Sequence, residues 1–319
     1  MGLRLTVHRA RWRQQLLAAV ADRPGLIPVV KGNGYGFGRT TLMPIAADIG
    51  HQIAVGTVYE AADVPANRVA IVLTPHLGLL PQNLSPTTIL TIGSVDHLAA
   101  LREQGWVGAV SIKLRSSMHR YGVAPDGLPG LLRAVRAAGC EAVAHALHFP
   151  LSGAPDHHLA EIEQWLPLLQ NDIAIAVSHI DPGSYKSLCR NNPQRLFQIR
   201  CGTALWHAER SSLALAADVV DVHQVAAGVV VGYRGIAIAD SGALVLIAAG
   251  SAHGIGSLPK SNSPYHFARR RLDLVEPPHM HTSMVFVAAG QQCPAVGDWV
   301  DVQHPLTQTT IDELEWIDD

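Results

Sequence analysis

The sequence predicts an α/β fold: a (β/α)8 barrel over residues 1–212, followed by a smaller all-β domain over residues 213–319. In the first two-thirds, short β-branched apolar runs alternate with helix-patterned stretches about eight times, which is typical of such a barrel. From about Asp218 the chain becomes rich in Val, Ile and Gly, with turn residues every ~8–12 positions, which is typical of a β-barrel or sandwich. A chain of 319 residues also exceeds the usual size of a single hydrophobic core, which favours two domains.

The predicted barrel strands follow one another in a regular order. They are LIPVVKG, HQIAVGTV, RVAIVLTP, TTILTIG, AVSIKLR, AVAHALHF, IAIAVSHI and LFQIRCG. Each has the length of a buried parallel strand. The predicted helical stretches between them are TTLMPIAADIG, YEAADV, SVDHLAALREQG, GLPGLLRAVRAAG and HHLAEIEQWLPLL. A doubly wound open sheet remains the alternative, although no GxGxxG follows the first strand.

Composition and charge exclude several classes of function. Apolar residues make up 48% of the chain and charged residues 16%, which suits a well-buried globular enzyme. The formal net charge of −2 gives no reason to expect a nucleic-acid partner. The basic run Arg269, Arg270 and Arg271 is typical of a solvated turn or a subunit contact.

The cysteines and the N-terminus indicate a soluble cytoplasmic protein. The four cysteines are widely spaced and form no CxxC pair, which argues against a zinc knuckle or a disulfide framework. The N-terminal segment MGLRLTVHRARWRQQLL has charges throughout and does not have the pattern of a signal peptide. No apolar run approaches the ~20 residues that span a bilayer, so no membrane partner is expected.

The end of the first predicted strand carries the strongest chemical signal. Lys31 follows the apolar run and precedes a glycine-rich loop that contains Tyr35. A lysine at the end of a buried strand loses hydration, which favours the neutral amine that forms a Schiff base. The glycines allow close backbone approach to a ligand, and the Tyr35 hydroxyl can bind an anion. The same residues would also fit an ordinary surface lysine before a flexible loop.

A series of ordered motifs resembles the alanine racemase family. VVKGNGYGFG resembles the family's cofactor-lysine motif VVKANAYGHG, and IAVGTVYEA resembles its second strand. SIKLRSSMHRYG resembles LKVDTGMNRLG and matches Lys113, Met118, Arg120 and Gly122. LHFP resembles THFA at His148, AVSHI places Ser178 at a phosphate-binding serine, and QIRCGTALW resembles VRPGIALYG at Arg200 and Gly202.

The resemblance implies a pyridoxal 5'-phosphate (PLP) enzyme with defined residue roles. Lys31 would bind the cofactor as a Schiff base and move the α-proton on one face. Tyr35, Ser178 and the backbone amides of Gly202 and Thr203 would hold the phosphate. Arg200 would face the pyridine nitrogen, and His148 would lie beside the ring. Arg120 would lie near the phenolic oxygen or the substrate carboxylate, with Lys113 behind it. Met280 would contact the substrate.

The second base departs from the family pattern. The family uses a tyrosine within VGYADGYPR, and the corresponding stretch here is AAGSAHGIG, which puts Ile255 at that position. Isoleucine cannot transfer a proton. His253 is the predicted replacement; Tyr265 and the absence of any second base are the alternatives.

A second departure lies in PPHMHTSMVFV, which resembles MDQIMVDV but has His281 in place of the acidic residue. Related D-threonine aldolases and D-serine dehydratases bind a metal through a similar segment, so His279 and His281 are candidate ligands, with His253 as a third. Alternating residues of a strand point to opposite faces, which is poor geometry for joint chelation, and no metal is the favoured expectation. Arg115 stands where the family has Asp, and the C-terminal domain is shorter than the family's.

These features predict a PLP-dependent amino-acid racemase or epimerase. The alternatives are a one-base PLP lyase of the D-threonine aldolase or D-serine dehydratase type, in which a metal could assist, and a PLP-binding protein with reduced catalysis. The resemblance also implies a head-to-tail homodimer with shared sites. The sequence does not define the amino-acid substrate.

Overall fold

The structure, a computed structural model, describes residues 2–259 and 262–318. The chain divides into two compact units. The barrel unit comprises Leu16–Gly32 and Arg39–Trp206. The antiparallel unit comprises residues 2–15 and 33–38 with the described residues from 207 onwards. The chain begins with strand β1 (Leu3–His8) and helix α1 (Arg9–Ala21).

Eight parallel strands form the barrel. They are β2 (Leu26–Pro28), β3 (Gln52–Val55), β4 (Val69–Val72), β5 (Ile89–Ile92), β6 (Ala109–Lys113), β7 (Glu141–Ala146), β8 (Ala174–Val177) and β9 (Phe197–Cys201). Their order in the sheet is β2-β9-β8-β7-β6-β5-β4-β3. A parallel bridge between Val29 and Ala54 joins the two end strands, and the Val30 amide donates to the Ala54 carbonyl at 2.8 Å. The predicted (β/α)8 barrel is therefore confirmed.

The barrel strands are mainly apolar because both of their faces are covered. All four residues of β5 and of β8 are buried. The remaining α-helices are α2 (Arg39–Ile49), α3 (Val95–Glu103), α4 (Leu128–Ala137), α5 (Pro155–Trp165), α6 (Pro182–Asn191) and α7 (Thr203–Trp206). None of the described helices has the length and apolar character needed to cross a membrane.

Local signals explain where these helices begin. The Ser94 side chain accepts a hydrogen bond from the His97 amide at the start of α3, and Asp181 accepts from the Ser184 amide at the start of α6. The predicted helix YEAADV is a 3-10 helix. Within the described part of the chain, the 3-10 helices are Gly34–Gly36, Val58–Asp63, Leu166–Leu168, Arg210–Ser212, Ser251–His253 and Leu306–Gln308.

The antiparallel unit contains the predicted all-β region. Its further strands are β10 (Leu213–Val225), β11 (Val230–Val231), β12 (Ile236–Ala237), β13 (Gly242–Ile247), β14 (Tyr265–Phe267), β15 (Arg270–Arg271), β16 (Asp273–Leu274), β17 (Ser283–Ala288), β18 (Trp299–Val302) and β19 (Glu313–Ile317). Seven of these form a sheet in the order β15-β14-β18-β10-β13-β17-β16, while β11 pairs with β12 alone. The antiparallel sheet agrees with the predicted β-rich C-terminal region.

The first strand also belongs to this unit, which differs from the sequence-based division at residue 212. Strand β1 pairs antiparallel with β10, from Leu3 opposite Ala217 to Val7 opposite Leu213, and parallel with β19. The alternating burial of β1 fits one strand face packed on a core and one face open. The N-terminal strand therefore completes the sheet formed by the C-terminal residues.

Candidate active site

Four basic side chains meet at the carboxyl-terminal end of the barrel strands. Lys31 follows β2, Lys113 ends β6, Arg120 lies in the loop after β6, and Arg200 lies on β9. The charges of Arg120 and Arg200 each lower the pKa of both Lys31 and Lys113. This is the end of a barrel at which enzymes of the fold place their chemistry, and the excess positive charge there favours an anionic ligand.

Backbone hydrogen bonds on both sides of Lys31 fix its position. Val29 donates to the Cys201 carbonyl at 2.8 Å, and Gly32 donates to Glu60 Oε1 at 2.8 Å. The side chain of Lys31 is exposed at the mouth of the barrel. Partial loss of hydration lowers its pKa, and Arg120 lowers it further. A lowered pKa increases the fraction of neutral amine, which is the nucleophilic form.

Glu60 holds the loops that follow the first two barrel strands. Its Oε2 accepts from the Gly56 amide at 2.6 Å, while its Oε1 accepts from the Gly32 amide. Arg39 completes the arrangement, because it donates to the Gly32 carbonyl at 2.7 Å and to Asp63 at 2.5 Å. The loop after Lys31 is therefore held by side chains on two neighbouring segments.

Arg200 is a buried cation with incomplete hydrogen bonding. Its Nη2 donates to the Leu147 carbonyl at 2.5 Å and to the Ala176 carbonyl at 3.3 Å. Its Nε is buried and has no hydrogen-bond partner among the described residues. Burial lowers the pKa of the guanidinium to about 10, so it stays charged at neutral pH. A buried unpaired donor is costly, so Nε is available to an acceptor that binds beside it.

Lys113 is a buried amine beside Arg200. Its side chain is 4% exposed, and loss of hydration, with the charges of Arg200 and Arg120, lowers its pKa to about 6. The amine is therefore mainly neutral at pH 7 in the ligand-free chain. Its uncharged form avoids a further positive charge in the cluster.

We expect this buried lysine to make stability depend on pH. The pKa of Lys113 is about 6 in the folded chain and near 10.5 when exposed, so the unfolded state binds more protons between these values. Stability from this group therefore rises between pH 6 and 10.5 and is constant below pH 6. Lys113→Met should remove that rise and stabilise the ligand-free protein at pH 7 by a few kcal/mol. Urea unfolding of both proteins at pH 6.5, 8 and 9.5 measures this; parallel curves would contradict it.

His148, Ser178 and His179 form a hydrogen-bonded group at the ends of β7 and β8. The Nδ1 of His148 lies 2.5 Å from the Ser178 hydroxyl, and the two imidazole rings are 4.5 Å apart. His179 Nδ1 lies 2.7 Å from the Phe149 carbonyl, which requires the proton on that nitrogen. Burial and the nearby cations hold the pKa of His148 far below its usual range, so its ring is neutral.

The backbone after β9 offers amide donors. Thr203 begins α7, so its amide lacks an acceptor within that short helix. Trp206, at the end of α7, donates from Nε1 to the Val29 carbonyl at 2.7 Å. This bond ties the segment after β9 to the segment that leads into Lys31.

The turn that carries Arg120 depends on Gly122. Gly122 has φ +139°, and a Cβ there would lie 2.6 Å from the carbonyl of Leu114. Val123 pairs with the end of β6 through a 2.9 Å bond from its amide to the Lys113 carbonyl. The Arg120 guanidinium lies 4.8 Å from the centre of the Tyr121 ring.

We expect Gly122→Ala to destabilise the chain by about 1–3 kcal/mol, because an alanine is strained at this backbone conformation. Gly130→Ala is the matched control, since Gly130 lies in α4 and a Cβ there would make only an ordinary contact of 3.9 Å with Arg133 Nη2. Alanine in a helix interior should be stabilising by roughly 0.5–1 kcal/mol. Chemical denaturation of both variants measures the difference; equal stabilities would contradict the assigned strain.

The other predicted residues lie in the antiparallel unit, and the structure places Tyr35 there. Tyr35 is 6% exposed and has φ +57°. Its carbonyl lies 2.7 Å from His207 Nε2, and its ring makes an edge contact with His207. The predicted phosphate role of Tyr35 stays a prediction.

The two candidates for the second base, His253 and Tyr265, are buried in this unit, as is Ile255 at the family's tyrosine position. His253 Nδ1 accepts from the Gly250 amide at 3.1 Å, and its Nε2 lies 3.0 Å from Asp312 Oδ2, so both nitrogens are engaged. Tyr265 is fully buried and bonded to Ser283 and the Ala249 carbonyl, and burial raises its pKa. Ile255 is 1% exposed. His253 and Tyr265 thus have structural hydrogen bonds in the isolated chain.

His279, Met280 and His281 lie together on the loop before β17. His279 Nε2 is 2.6 Å from Glu276 Oε1, and its ring lies 4.4 Å from the ring of Tyr233. Met280 is 67% exposed, as a side chain that reaches a ligand or partner requires. Among residues 2–259 and 262–318, no three His, Cys, Asp or Glu side chains cluster as metal ligands.

Comparison with known proteins decides the family. The family model described as "Alanine racemase, N-terminal domain" matches residues 6–209, most of the chain. The chain belongs to the alanine racemase family. The alanine racemases of Mycobacterium tuberculosis and Mycobacterium bovis are each 31% identical to it over 136 residues. That match covers 40% of this chain and 35% of each relative, so it spans about a third of their length.

Solved alanine racemases share the fold over nearly the whole chain. The enzyme of Bartonella henselae, with covalently bound pyridoxal phosphate, has a TM-score of 0.73 at 19% identity and covers 99% of this chain and 100% of its own. The biosynthetic alanine racemase of Pseudomonas aeruginosa has a TM-score of 0.74 at 20% identity, with 99% of both chains covered. The predicted combination of barrel and antiparallel sheet is thus that of alanine racemases.

Two features of this alanine racemase family site were not predicted from the sequence. His179 directly follows Ser178 after β8, and its ring contacts His148. The sequence signal for His179 was its position at the end of a predicted strand, next to Ser178, which was predicted to bind phosphate. Glu60 stood within a recognised motif, but its hydrogen bonds to Gly32 and Gly56 depend on the fold.

Proposed function

We propose that the chain is a PLP-dependent enzyme that exchanges the α-proton of an amino acid, and that the reaction is racemisation or epimerisation. The observation that carries this proposal is that Lys31 and Arg200 lie at the same end of the barrel and that Nε of Arg200 has no hydrogen-bond partner among the described residues. A pyridine nitrogen is an acceptor that this buried donor can serve. The surrounding cations suit the phosphate and phenolate of the cofactor.

The chain's own residues would bind PLP from several sides. Lys31 Nζ would hold it covalently, and the Ser178 hydroxyl with the amides of Gly202 and Thr203 would receive the phosphate, together with Tyr35. His148 would contact the ring edge as a neutral imidazole, since its pKa is strongly lowered. When bound, PLP supplies an electron-withdrawing ring that stabilises negative charge developing at the substrate α-carbon.

The residues around the ring would control proton movement. Lys31 would take or return the α-proton on one face, and its lowered pKa makes the neutral base more available. Arg200 stays charged, so its guanidinium would keep the pyridine nitrogen unprotonated and moderate the electron demand. Arg120 is exposed at the same mouth and would orient the substrate carboxylate or the phenolic oxygen.

A second candidate function is one-base PLP chemistry, such as elimination or retro-aldol cleavage. Such chemistry needs no proton-transferring residue on the face of the substrate opposite Lys31. The hydrogen bonds of His253 and Tyr265, with Ile255 at the family's tyrosine position, favour this candidate. Racemisation would need a proton donor on that face from elsewhere. In the proposed head-to-tail homodimer, the second copy of the chain would have to supply this donor from a residue other than Ile255.

Deuterium exchange distinguishes these functions. The protein with PLP would be incubated in D2O with single enantiomers of a panel of amino acids, with and without a β-hydroxyl. Racemisation predicts deuterium at the α-carbon together with the opposite enantiomer. A lyase predicts a keto acid or aldehyde product from the β-hydroxy substrates. Binding of PLP with no exchange on any substrate would contradict both and favour a PLP-binding protein.

A further inference from the structure

The interior of the barrel contains a cavity of about 140 Å³, which we call the lumen cavity. Residues of seven barrel strands, β3 to β9, line it. Gln52 and Ala174, the first residues of β3 and β8, lie at its amino-terminal end, and Arg200 lies furthest toward the carboxyl-terminal ends. Leu196, just before β9, also lines it and is 59% exposed.

Small side chains leave this volume open. Barrels of this kind normally fill their interior with layers of Val, Ile and Leu. Here Ala144, Ala174 and Ala176 occupy inward positions on the adjacent strands β7 and β8. An apolar cavity of roughly 150 Å³ is large enough to hold benzene. The lumen cavity therefore has room for a molecule of about six non-hydrogen atoms.

The polar groups of the lining favour an anion. Ser111 is 3% exposed and lines the cavity, where its hydroxyl is a hydrogen-bond donor. Arg200 also lines the cavity and has no carboxylate partner among the described residues. Gln198 and Gln52 satisfy each other through a 3.0 Å bond from Nε2 to Oε1. A guanidinium that has no carboxylate partner and a hydroxyl in the same lining are donors for a carboxylate.

The remaining walls favour an alkyl chain. Ile71, Ile89, Val143 and Leu196 contribute aliphatic side chains to the same cavity. A molecule that satisfies both parts of the lining has one carboxylate and a short apolar body. Water alone could accept hydrogen bonds from Arg200 and Ser111, but it would leave the aliphatic walls of the cavity hydrated.

We propose that the lumen cavity is a second small-molecule site, which binds a short-chain monocarboxylate with its head group at Arg200 and Ser111 and its alkyl chain along Ile71 and Ile89. The site lies inside the barrel and not at the mouth, where Lys31 would hold PLP, and the two sites share Arg200. It does not depend on the proposed function, because its lining is complete in the barrel unit. An anion against Arg200 would also weaken the positive field that this residue directs toward the mouth.

Butyrate is the probe for this site. Its binding to the PLP-saturated protein would be measured by isothermal titration calorimetry, and a butyrate-soaked crystal of the same protein would show its position. Ala174→Leu fills the amino-terminal end of the cavity and leaves the barrel mouth unchanged, so it should weaken binding at least tenfold. Ser111→Ala keeps the volume and removes one hydrogen bond to a charged group, which should weaken binding about tenfold.

Ala99→Leu is the matched control, because Ala99 is exposed on α3. The proposal predicts loss of affinity in both cavity variants, unchanged affinity in the control and density for butyrate inside the barrel. Unchanged affinity in the cavity variants would place the ligand at the cationic mouth and overturn the proposal, as would a wild-type protein that binds no butyrate or holds only water there. Loss in Ala174→Leu alone would overturn the assigned contact with Ser111.

Discussion

Lys31→Ala is expected to lose the visible absorption that the wild-type protein develops with PLP, and with it essentially all α-proton exchange. Lys31 would act both as the covalent attachment and as the proton carrier on one face. Loss of a general base alone costs about 10²–10⁴-fold in rate, and loss of covalent attachment adds to it. Spectra of the PLP-saturated protein and deuterium uptake at the substrate α-carbon measure the two effects.

Lys186→Ala is the matched control for this variant. Lys186 lies on α6 and forms an exposed ion pair with Asp22 at 2.6 Å, away from the strand ends that carry the site. It should keep the absorption band and the exchange rate. Methylamine added to Lys31→Ala should restore part of the exchange, since a free primary amine can replace the missing side chain. A band that persists without Lys31 would contradict its assignment.

The next largest effect is expected for Arg200→Gln, with a fall of about 10²–10³-fold in the exchange rate, the size of effect seen when one preorganised charge-stabilising donor is removed. Glutamine can still donate to a pyridine nitrogen, but it provides no positive charge to stabilise negative charge in the ring. The visible band should remain, because Lys31 is unchanged. A lower exchange rate with an unchanged visible band would indicate an electrostatic role of Arg200, whereas a lower rate with a weaker band would indicate loss of the cofactor.

Arg200→Lys provides the comparison for charge. It keeps the positive charge and loses the planar donors that bind the carbonyls of Leu147 and Ala176. Its rate should lie between those of wild type and Arg200→Gln. Equal rates for wild type and Arg200→Gln, with the band intact in both, would show that the guanidinium does not face the reacting ring.

The sequence predicted all eight barrel strands because strands buried on both faces are continuous apolar runs, and β5 and β8 are clear examples. It did not predict β1, whose partners lie more than 200 residues away in β10. Long-range pairing of a short alternating strand has no local signal. Helix α6 was also missed, although Asp181 followed by Pro182 is a typical helix start.

For the site, the motifs predicted roles around one cofactor for Lys31, Lys113, Arg120 and Arg200, and the charges of these residues act on one another at the carboxyl-terminal ends of the barrel strands. What the motifs could not show was the partner of each polar atom. The bond from His253 to Asp312 joins residues 59 positions apart. The free Nε of Arg200 is likewise a property of the folded packing, and it is the observation that gives the cofactor proposal its geometric support.

The most direct test of the central claim is to identify the residue that carries PLP. The PLP-saturated protein would be treated with borohydride, which fixes a cofactor bound to an amine, then digested and analysed by peptide mass spectrometry. We expect the reduced cofactor on Lys31 and on no other lysine. Attachment to Lys113 or Lys186, or no fixed cofactor at all, would contradict the assignment of Lys31.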